Sequence, residues 1–225
     1  MAREAINEAV QIKLDAVMLE ADLHVPDRAA GLVIFAHGSG SSRFSRRNRA
    51  VAGVLEDAGF ATLLLDLLTP DEESVDERTR EYRFDIDLLG RRVVGATDWA
   101  QARPDLQPLP IALFGASTGA AAALIAAAAR PDITRAVISR GGRPDLAHEA
   151  LSNVQAPTLL IVGGDDEPVI EMNREAMRRM LAPVELEIVP GATHLFEEPG
   201  ALQQVAKLAA EWCRQHLKKG VDSRA

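Results

Sequence analysis

The chain has 225 residues, of which 47% are hydrophobic and 26% are charged, so it can bury a sizeable core. Its formal net charge of −8 and its pI of about 5.2 argue against a nucleic-acid-binding surface. A chain of this length and composition predicts one globular domain over residues 1–225, with a disordered tail from about residue 220.

The compartment is predicted from the cysteine content and from the apolar runs. Cys213 is the one cysteine of the chain, so an intrachain disulfide is excluded and a reducing environment is favoured. The first residues lack the apolar core of a signal peptide, and no run approaches the roughly 18 apolar residues of a membrane span. We therefore expect a cytoplasmic protein that binds no membrane.

The N-terminal third begins with two segments, "VQIKL" and "VMLEADLHV", whose alternation of apolar and polar residues predicts an antiparallel pair. The continuous apolar run "GLVIFAHG" is typical of a strand that is buried on both faces. A helical pattern follows and stops at Gly59. The next segment, "FATLLLDLL", is strand-like. After it, Thr69, Pro70 and Glu72 fit positions N-cap, N1 and N3 of a short helix.

The rest of the chain alternates strand and helix patterns, which predicts a parallel, twisted sheet with helices on both faces. The fold class is therefore α/β, with about eight strands. The predicted elements are a helix near 84–102, a strand at 109–114, a helix at 118–129, strands at 134–140 and 157–162, a helix near 168–181, a strand at 184–189 and a helix near 200–218.

The pentapeptide Gly-Ala-Ser-Thr-Gly, with Ser117 at its centre, lies between a predicted strand and a predicted helix. A strand-to-helix turn that needs small neighbours, here Gly115 and Gly119, is the setting in which Gly-x-Ser-x-Gly presents a nucleophile. A plain turn with a helix-capping serine is the alternative interpretation. The nucleophile hypothesis requires a carboxylate and then a histidine later in the chain.

His194 is the histidine that fits this order, because it follows the last predicted strand and precedes the last predicted helix. The carboxylate must come from the "GGDDE" segment after the preceding strand. Adjacent loop carboxylates commonly cap the next helix, so Asp165 stays an alternative. We favour Asp166, because it completes a Gly163-x-x-Asp166-x-x-Val169 spacing.

Four segments, "HGSGSS", "GASTG", "LLIVGGDDEPV" and "GATHLFEEPG", stand in order at predicted strand ends. In these the chain resembles the α/β-hydrolases of the dienelactone-hydrolase-like branch, over residues of about 8 to 218. The resemblance implies Ser117 as nucleophile, His194 as general base and then acid, and Asp166 as the group that orients the imidazole. It also implies an oxyanion hole made by the backbone N–H groups of Ser39 and Thr118.

The substrate is expected to be a small-molecule carboxylic ester, including small esters or lactones. The enzymes that give the branch its name use a cysteine where this chain has Ser117, which favours carboxylesterase chemistry over dienelactone hydrolysis. The connection between the strands at 134–140 and 157–162 is too short for a lid domain, so we expect an open site. Arg140 and Arg143 are candidates for attracting an anionic substrate, with solvated or ion-paired arginines as the alternative, and Phe44 is a candidate for the acyl pocket.

No metal and no cofactor is expected, since the sequence offers no cluster with metal-ligand spacing and no nucleotide-binding motif. Two other functions stay open at this point. One is an acyltransferase or perhydrolase that uses the same three residues, and the other is a catalytically inactive binding protein of the same fold. The sequence leaves the oligomeric state open.

Overall fold

An eight-stranded sheet forms the centre of the computed structural model, which describes residues 5–217. The tail predicted from about residue 220 lies outside the described residues. The strands are β1 (Ile6–Leu14), β2 (Val17–Val25), β3 (Leu32–Ala36), β4 (Ala61–Leu65), β5 (Ile111–Ala116), β6 (Thr134–Arg140), β7 (Thr158–Gly163) and β8 (Val184–Val189). The helices are α1 (Arg46–Asp57), α2 (Pro70–Thr79), α3 (Ile86–Ala102), α4 (Thr118–Ala129), α5 (Glu167–Arg179) and α6 (Ala201–His216), with a 3₁₀ segment at Pro144–Asn153.

The strand order is β1-β2-β4-β3-β5-β6-β7-β8, in which β1 and β2 pair antiparallel with each other and β2 pairs antiparallel with β4. The remaining neighbours are parallel. The predicted fold class, a mostly parallel sheet with an antiparallel N-terminal pair, is therefore confirmed.

Both faces of the central strands are buried, which explains their continuous apolar runs. Leu32 and Ile34 of β3 belong to the core under α3 and α4, whereas Val33 and Phe35 belong to the core under α1 and α6. All five residues of β3 are buried, as are all six of β5 and of β7. The edge hairpin β1–β2 instead mixes buried and exposed positions.

Two local signals, one at the end of α1 and one at the start of α2, lie where the sequence predicts them. Gly59 follows the last residues of α1 with φ of +86°, a left-handed conformation that costs glycine little. At the start of α2 the hydroxyl of Thr69 accepts a hydrogen bond from the Glu72 N–H, and the Glu72 carboxylate accepts one from the Thr69 N–H. This capping box fixes the direction of α2 next to the sheet edge described below.

In the sheet, β4 lies on one side of β3 and β5 lies on the other side. The direction in which successive strands are added to the sheet therefore reverses at β3. A crevice opens at such a point, outside the carboxyl ends of the strands. The connection from β6 to β7 contains the 3₁₀ segment, which packs against α4 and α5. Between residues 5 and 217, no helix is long and apolar enough to cross a membrane.

Candidate active site

Ser117 stands in the turn between β5 and α4 with φ of 51° and ψ of −121°, a strained conformation for a residue with a side chain. The turn is tight enough that only glycine fits on either side. A Cβ atom at Gly115 would lie 2.3 Å from the Ala120 Cα, and one at Gly119 would lie 2.3 Å from the Ala36 carbonyl oxygen. Gly115 therefore lets α4 approach β5, Gly119 lets it approach β3, and together they hold Ser117 at the sheet edge.

The Ser117 hydroxyl makes no capping hydrogen bond, although Ser117 occupies the N-cap position of α4. Its backbone is held instead, since its N–H donates to the Arg140 carbonyl oxygen at 3.2 Å and its own carbonyl accepts from the Arg143 N–H at 3.0 Å. A capping serine would use its hydroxyl on the helix, so the alternative interpretation of the sequence does not describe this residue.

Asp166 and His194 form the hydrogen bond that the sequence interpretation requires, with 2.7 Å between Oδ2 and Nδ1. An ionised carboxylate only accepts hydrogen bonds, so Nδ1 carries the proton and Nε2 is left with a free lone pair. The Asp166 side chain does not cap α5, although Asp166 is its N-cap residue. Asp165, the alternative acid, is exposed, and its N–H donates to the Ala192 carbonyl.

The peptide of Arg140 and Gly141 lies between the serine and the histidine. Arg140 accepts the Ser117 N–H, and a Cβ at Gly141 would lie 3.6 Å from the His194 Cε1 atom and 2.9 Å from its carbonyl oxygen. Gly141 has φ of +50°, so glycine is favoured there both by space and by conformation. This peptide therefore connects the backbone of Ser117 to the loop that carries His194.

The two predicted oxyanion donors lie next to each other. The Ser39 and Thr118 hydroxyls are hydrogen-bonded at 3.0 Å, and a Cβ at Gly38 would lie 3.1 Å from the Ser117 Cβ. Thr118 is the first residue of α4, so its N–H has no partner inside the helix. Neither this N–H nor that of Ser39 donates to another group among the described residues.

His37 links this loop to the next strand. The Leu67 N–H donates to His37 Nε2 at 3.0 Å, so Nδ1 bears the proton and donates to the Gly38 carbonyl oxygen at 2.9 Å. Burial lowers the pKa of His37, which keeps the ring neutral. In a trans peptide the N–H points opposite to the C=O, so fixing the Gly38 carbonyl also fixes the direction of the Ser39 N–H. The sequence indicated the His-Gly pair but not this role.

A cavity of about 150 Å³ lies beside the Ser39 loop. Four carboxylates line it, and burial together with the nearby Asp66 and Glu77 raises the pKa of Glu73. The lining residues are His37, Gly38, Ser39, Gly40, Ser41, Asp66, Leu67, Leu68, Glu73, Asp76, Glu77, Arg83 and Leu89.

The three residues suggested for substrate binding differ in their surroundings. Arg143 pairs with Asp145 through two hydrogen bonds of 2.9 and 2.7 Å. This is the ion-paired arginine that the sequence offers as the alternative to substrate binding. Phe44 is 56% exposed and lies under the Arg43 and Arg49 guanidinium groups. Arg140 is buried and forms no ion pair with any described carboxylate.

In the part of the chain that the structure describes, no group of three or more His, Cys, Asp or Glu side chains could hold a metal ion.

The model of the dienelactone hydrolase family matches residues 15–219, which is most of the chain and includes every element of the site. The chain belongs to the dienelactone hydrolase family. This membership confirms the branch that the four strand-end segments predicted.

Two relatives are more than half identical to this member of the dienelactone hydrolase family. A crystal structure of a dienelactone hydrolase from Anabaena variabilis is 57% identical, with a TM-score of 0.94, over 96% of this chain and 100% of that chain. A protein of Mycobacterium tuberculosis named "Putative phosphoribosyl transferase" is 56% identical over 94% of this chain. The chain spans only 47% of the length of that relative.

The solved structure of Est1E from Butyrivibrio proteoclasticus shares the fold, with a TM-score of 0.76 at 20% identity over 92% of this chain and 98% of that chain.

Proposed function

We propose that the protein hydrolyses carboxylic esters through an acyl-enzyme on Ser117. The observation that carries the proposal is the 2.7 Å hydrogen bond from His194 to Asp166, at the sheet edge where Ser117 is held in a strained turn. A serine hydroxyl is a weak nucleophile until a neighbouring base takes its proton, and the bare Nε2 of His194 is such a base.

In the first step the Ser117 Oγ attacks the ester carbonyl carbon while its proton passes to His194 Nε2. The carbonyl oxygen becomes an oxyanion and accepts hydrogen bonds from the Ser39 and Thr118 N–H groups. The bond to the alcohol then breaks, and the alcohol leaves with the proton from His194. Asp166 stabilises the imidazolium while it exists.

In the second step a water molecule gives a proton to His194 and attacks the acyl group on Ser117. The acid leaves and the serine takes its proton back. Membership of the dienelactone hydrolase family supports hydrolysis as the reaction class. The serine in place of the cysteine of the name-giving enzymes supports simple esters as substrates.

The relative named a phosphoribosyl transferase is the longer protein, of which this chain spans 47%. Ser117 together with the hydrogen-bonded pair of Asp166 and His194 supports acyl transfer rather than the displacement of a pyrophosphate. Acyl transfer to an acceptor other than water uses the same three groups. Product analysis with added alcohol or hydrogen peroxide separates that reaction from hydrolysis.

The proposal is tested with a fluorophosphonate probe followed by peptide mapping. We expect one modified serine, Ser117, and no modification in the Ser117→Ala variant. Ser152→Ala, a change at an exposed serine away from the site, is the matched control and should label like the parent. A label on another serine, or a Ser117→Ala variant that hydrolyses p-nitrophenyl acetate at the parent rate, would contradict the assignment.

A further inference from the structure

Arg140 ends β6 with only 6% of its surface exposed. Two and four residues before it, Ile138 and Ala136 pack into the core under α1 and α6, so Arg140 lies at the top of the same face. Its Nη2 donates to the Asn48 side-chain oxygen at 3.2 Å, and its buried Nε has no hydrogen-bond partner. One nitrogen of this guanidinium, Nε, is thus buried without a partner.

The charge of Arg140 is also uncompensated. No described carboxylate lies within ion-pair distance, and the neighbouring charge that acts on it is another cation, Arg47. Burial, with a smaller effect of Arg47, lowers the pKa of Arg140 to about 10, so the side chain is still a cation at neutral pH. An isolated buried charge is strongly unfavourable, and proteins retain one where a counter-charge binds.

The first turn of α1 adds to this positive potential. Asn48 is the third residue of α1, so Arg140 contacts the helix where its backbone dipole is positive. The Arg46 and Arg47 N–H groups have no partner among the described residues. The Arg47 Nη1 pairs with Glu197 at the surface, but its Nε is buried and unpartnered.

Backbone contacts connect Arg140, which forms a positively charged group with Arg47 and the first turn of α1, to the proposed reaction centre. The Arg140 carbonyl accepts the Ser117 N–H at 3.2 Å, and the next residue, Gly141, lies against the His194 ring. The backbone of Arg140 is thus adjacent to both Ser117 and His194.

We propose that Arg140, Arg47 and the first turn of α1 form a subsite for an anionic group, a carboxylate or a phosphate, on the ester that Ser117 attacks. The proposal rests on the proposed esterase function. An anion here would supply the missing counter-charge of Arg140, and the planar guanidinium offers paired N–H groups that suit the oxygens of either anion.

The kinetic test compares a neutral ester, p-nitrophenyl acetate, with an anionic one, mono-p-nitrophenyl succinate. In Arg140→Gln we expect the ratio of kcat/KM for the anionic ester to that for the neutral ester to fall about ten- to hundredfold, the effect of losing charge-assisted hydrogen bonds. Arg135→Gln is the matched control, because Arg135 is exposed on the same strand, and it should keep the parent ratio. A parent ratio in Arg140→Gln would overturn the proposal.

A binding test separates this proposal from the esterase assignment, because it measures binding in a variant that lacks the Ser117 hydroxyl. The melting temperature of Ser117→Ala is measured with inorganic phosphate and with succinate, and we expect at least one anion to raise Tm by about 3 °C or more. The anion that acts identifies which chemistry the subsite prefers. The rise should be absent in Ser117→Ala/Arg140→Gln and present in Ser117→Ala/Arg135→Gln.

If neither anion raises Tm, the subsite proposal is wrong while the esterase assignment stands on its own labelling test. If Ser117→Ala keeps esterase activity but binds the anion through Arg140, the nucleophile assignment fails and the anion site stands. Arg140→Lys keeps the charge but loses the paired geometry, so we expect it to recover part of the selectivity lost in Arg140→Gln.

Discussion

Asp166 accepts a 2.7 Å hydrogen bond from His194, while the adjacent Asp165 is exposed and leaves the imidazole untouched. The two carboxylates are neighbours in the chain, yet only one reaches the ring. Asp166→Asn should therefore lower kcat for p-nitrophenyl acetate by about 10²–10⁴-fold, because the ring loses the group that holds its proton on Nδ1.

Asp165→Asn is the matched control for this pair and should stay within about threefold of the parent. Both variants are measured at one pH with saturating ester. A large loss confined to Asp165→Asn would reverse the assignment of the acid.

The close approach of α4 to β3 predicts a stability effect at Gly119. In Gly119→Ala the new methyl group would lie 2.3 and 2.4 Å from the carbonyl oxygens of Ala36 and His37, which are backbone atoms that cannot move aside cheaply. We expect a loss of at least about 2 kcal/mol in the free energy of unfolding, measured by urea titration. Gly53→Ala has open space around it and lies inside α1, so it should instead gain about 0.5–1 kcal/mol.

Burial of His37 makes stability depend on pH. Its pKa is lowered in the folded protein, so as pH falls below about 6.5 the unfolded chain takes up the proton first. The stabilisation of the folded protein by the neutral His37 ring is therefore complete above that pH. It is lost as the pH decreases towards the pKa that His37 has in the folded protein. Between pH 7.5 and 5.5 the parent should lose up to about 1.4 kcal/mol of unfolding free energy more than His37→Gln does.

The free energies are obtained from urea unfolding curves at the two pH values. His24→Gln removes an imidazole from the edge hairpin and serves as the control. Equal pH slopes for the parent and for His37→Gln would show that the His37 ring titrates alike in the folded and unfolded states.

The cavity beside the Ser39 loop predicts a preference for short acyl chains. Its volume of about 150 Å³ is smaller than the 300–1,000 Å³ typical of pockets for drug-sized ligands. We expect kcat/KM for p-nitrophenyl esters to fall as the acyl chain grows beyond about four carbons. Leu89→Ala, which removes a buried wall residue, should move the preference towards longer chains, and an unchanged profile would exclude this cavity as the acyl pocket.

Much of the fold could be predicted because its signals are local. The helix at 118–129 and the strands at 134–140 and 184–189 have the predicted bounds, since runs or alternations of apolar residues and neighbouring glycines mark them. The strand β1 begins at Ile6, four residues before the predicted segment, because the nine residues of β2 pair with nine of β1 and Ile6 lies opposite Val25. Pairing between strands decides such an end, and one strand by itself does not contain that information.

The connection between β6 and β7 also contains structure that the sequence by itself does not predict. The sequence predicts only that it is too short for a lid domain, but residues 144–153 form 3₁₀ turns in which Pro144, Ala147 and Leu151 are buried. Three buried residues in such a short segment give no helical period that is long enough to recognise from sequence.

The sequence by itself determined the alternation of strands and helices and the place of Ser117, because the glycines that a strand-to-helix turn needs are neighbours of the serine in the chain. Only the tertiary structure decided between residues that look alike in sequence. It brought Asp166 rather than Asp165 to His194, and it left Arg140 buried without a carboxylate while Arg143 pairs with Asp145. The physical reason is that a side chain's charge partner and burial depend on segments that are distant in the chain, such as the Asn48 side chain that contacts Arg140.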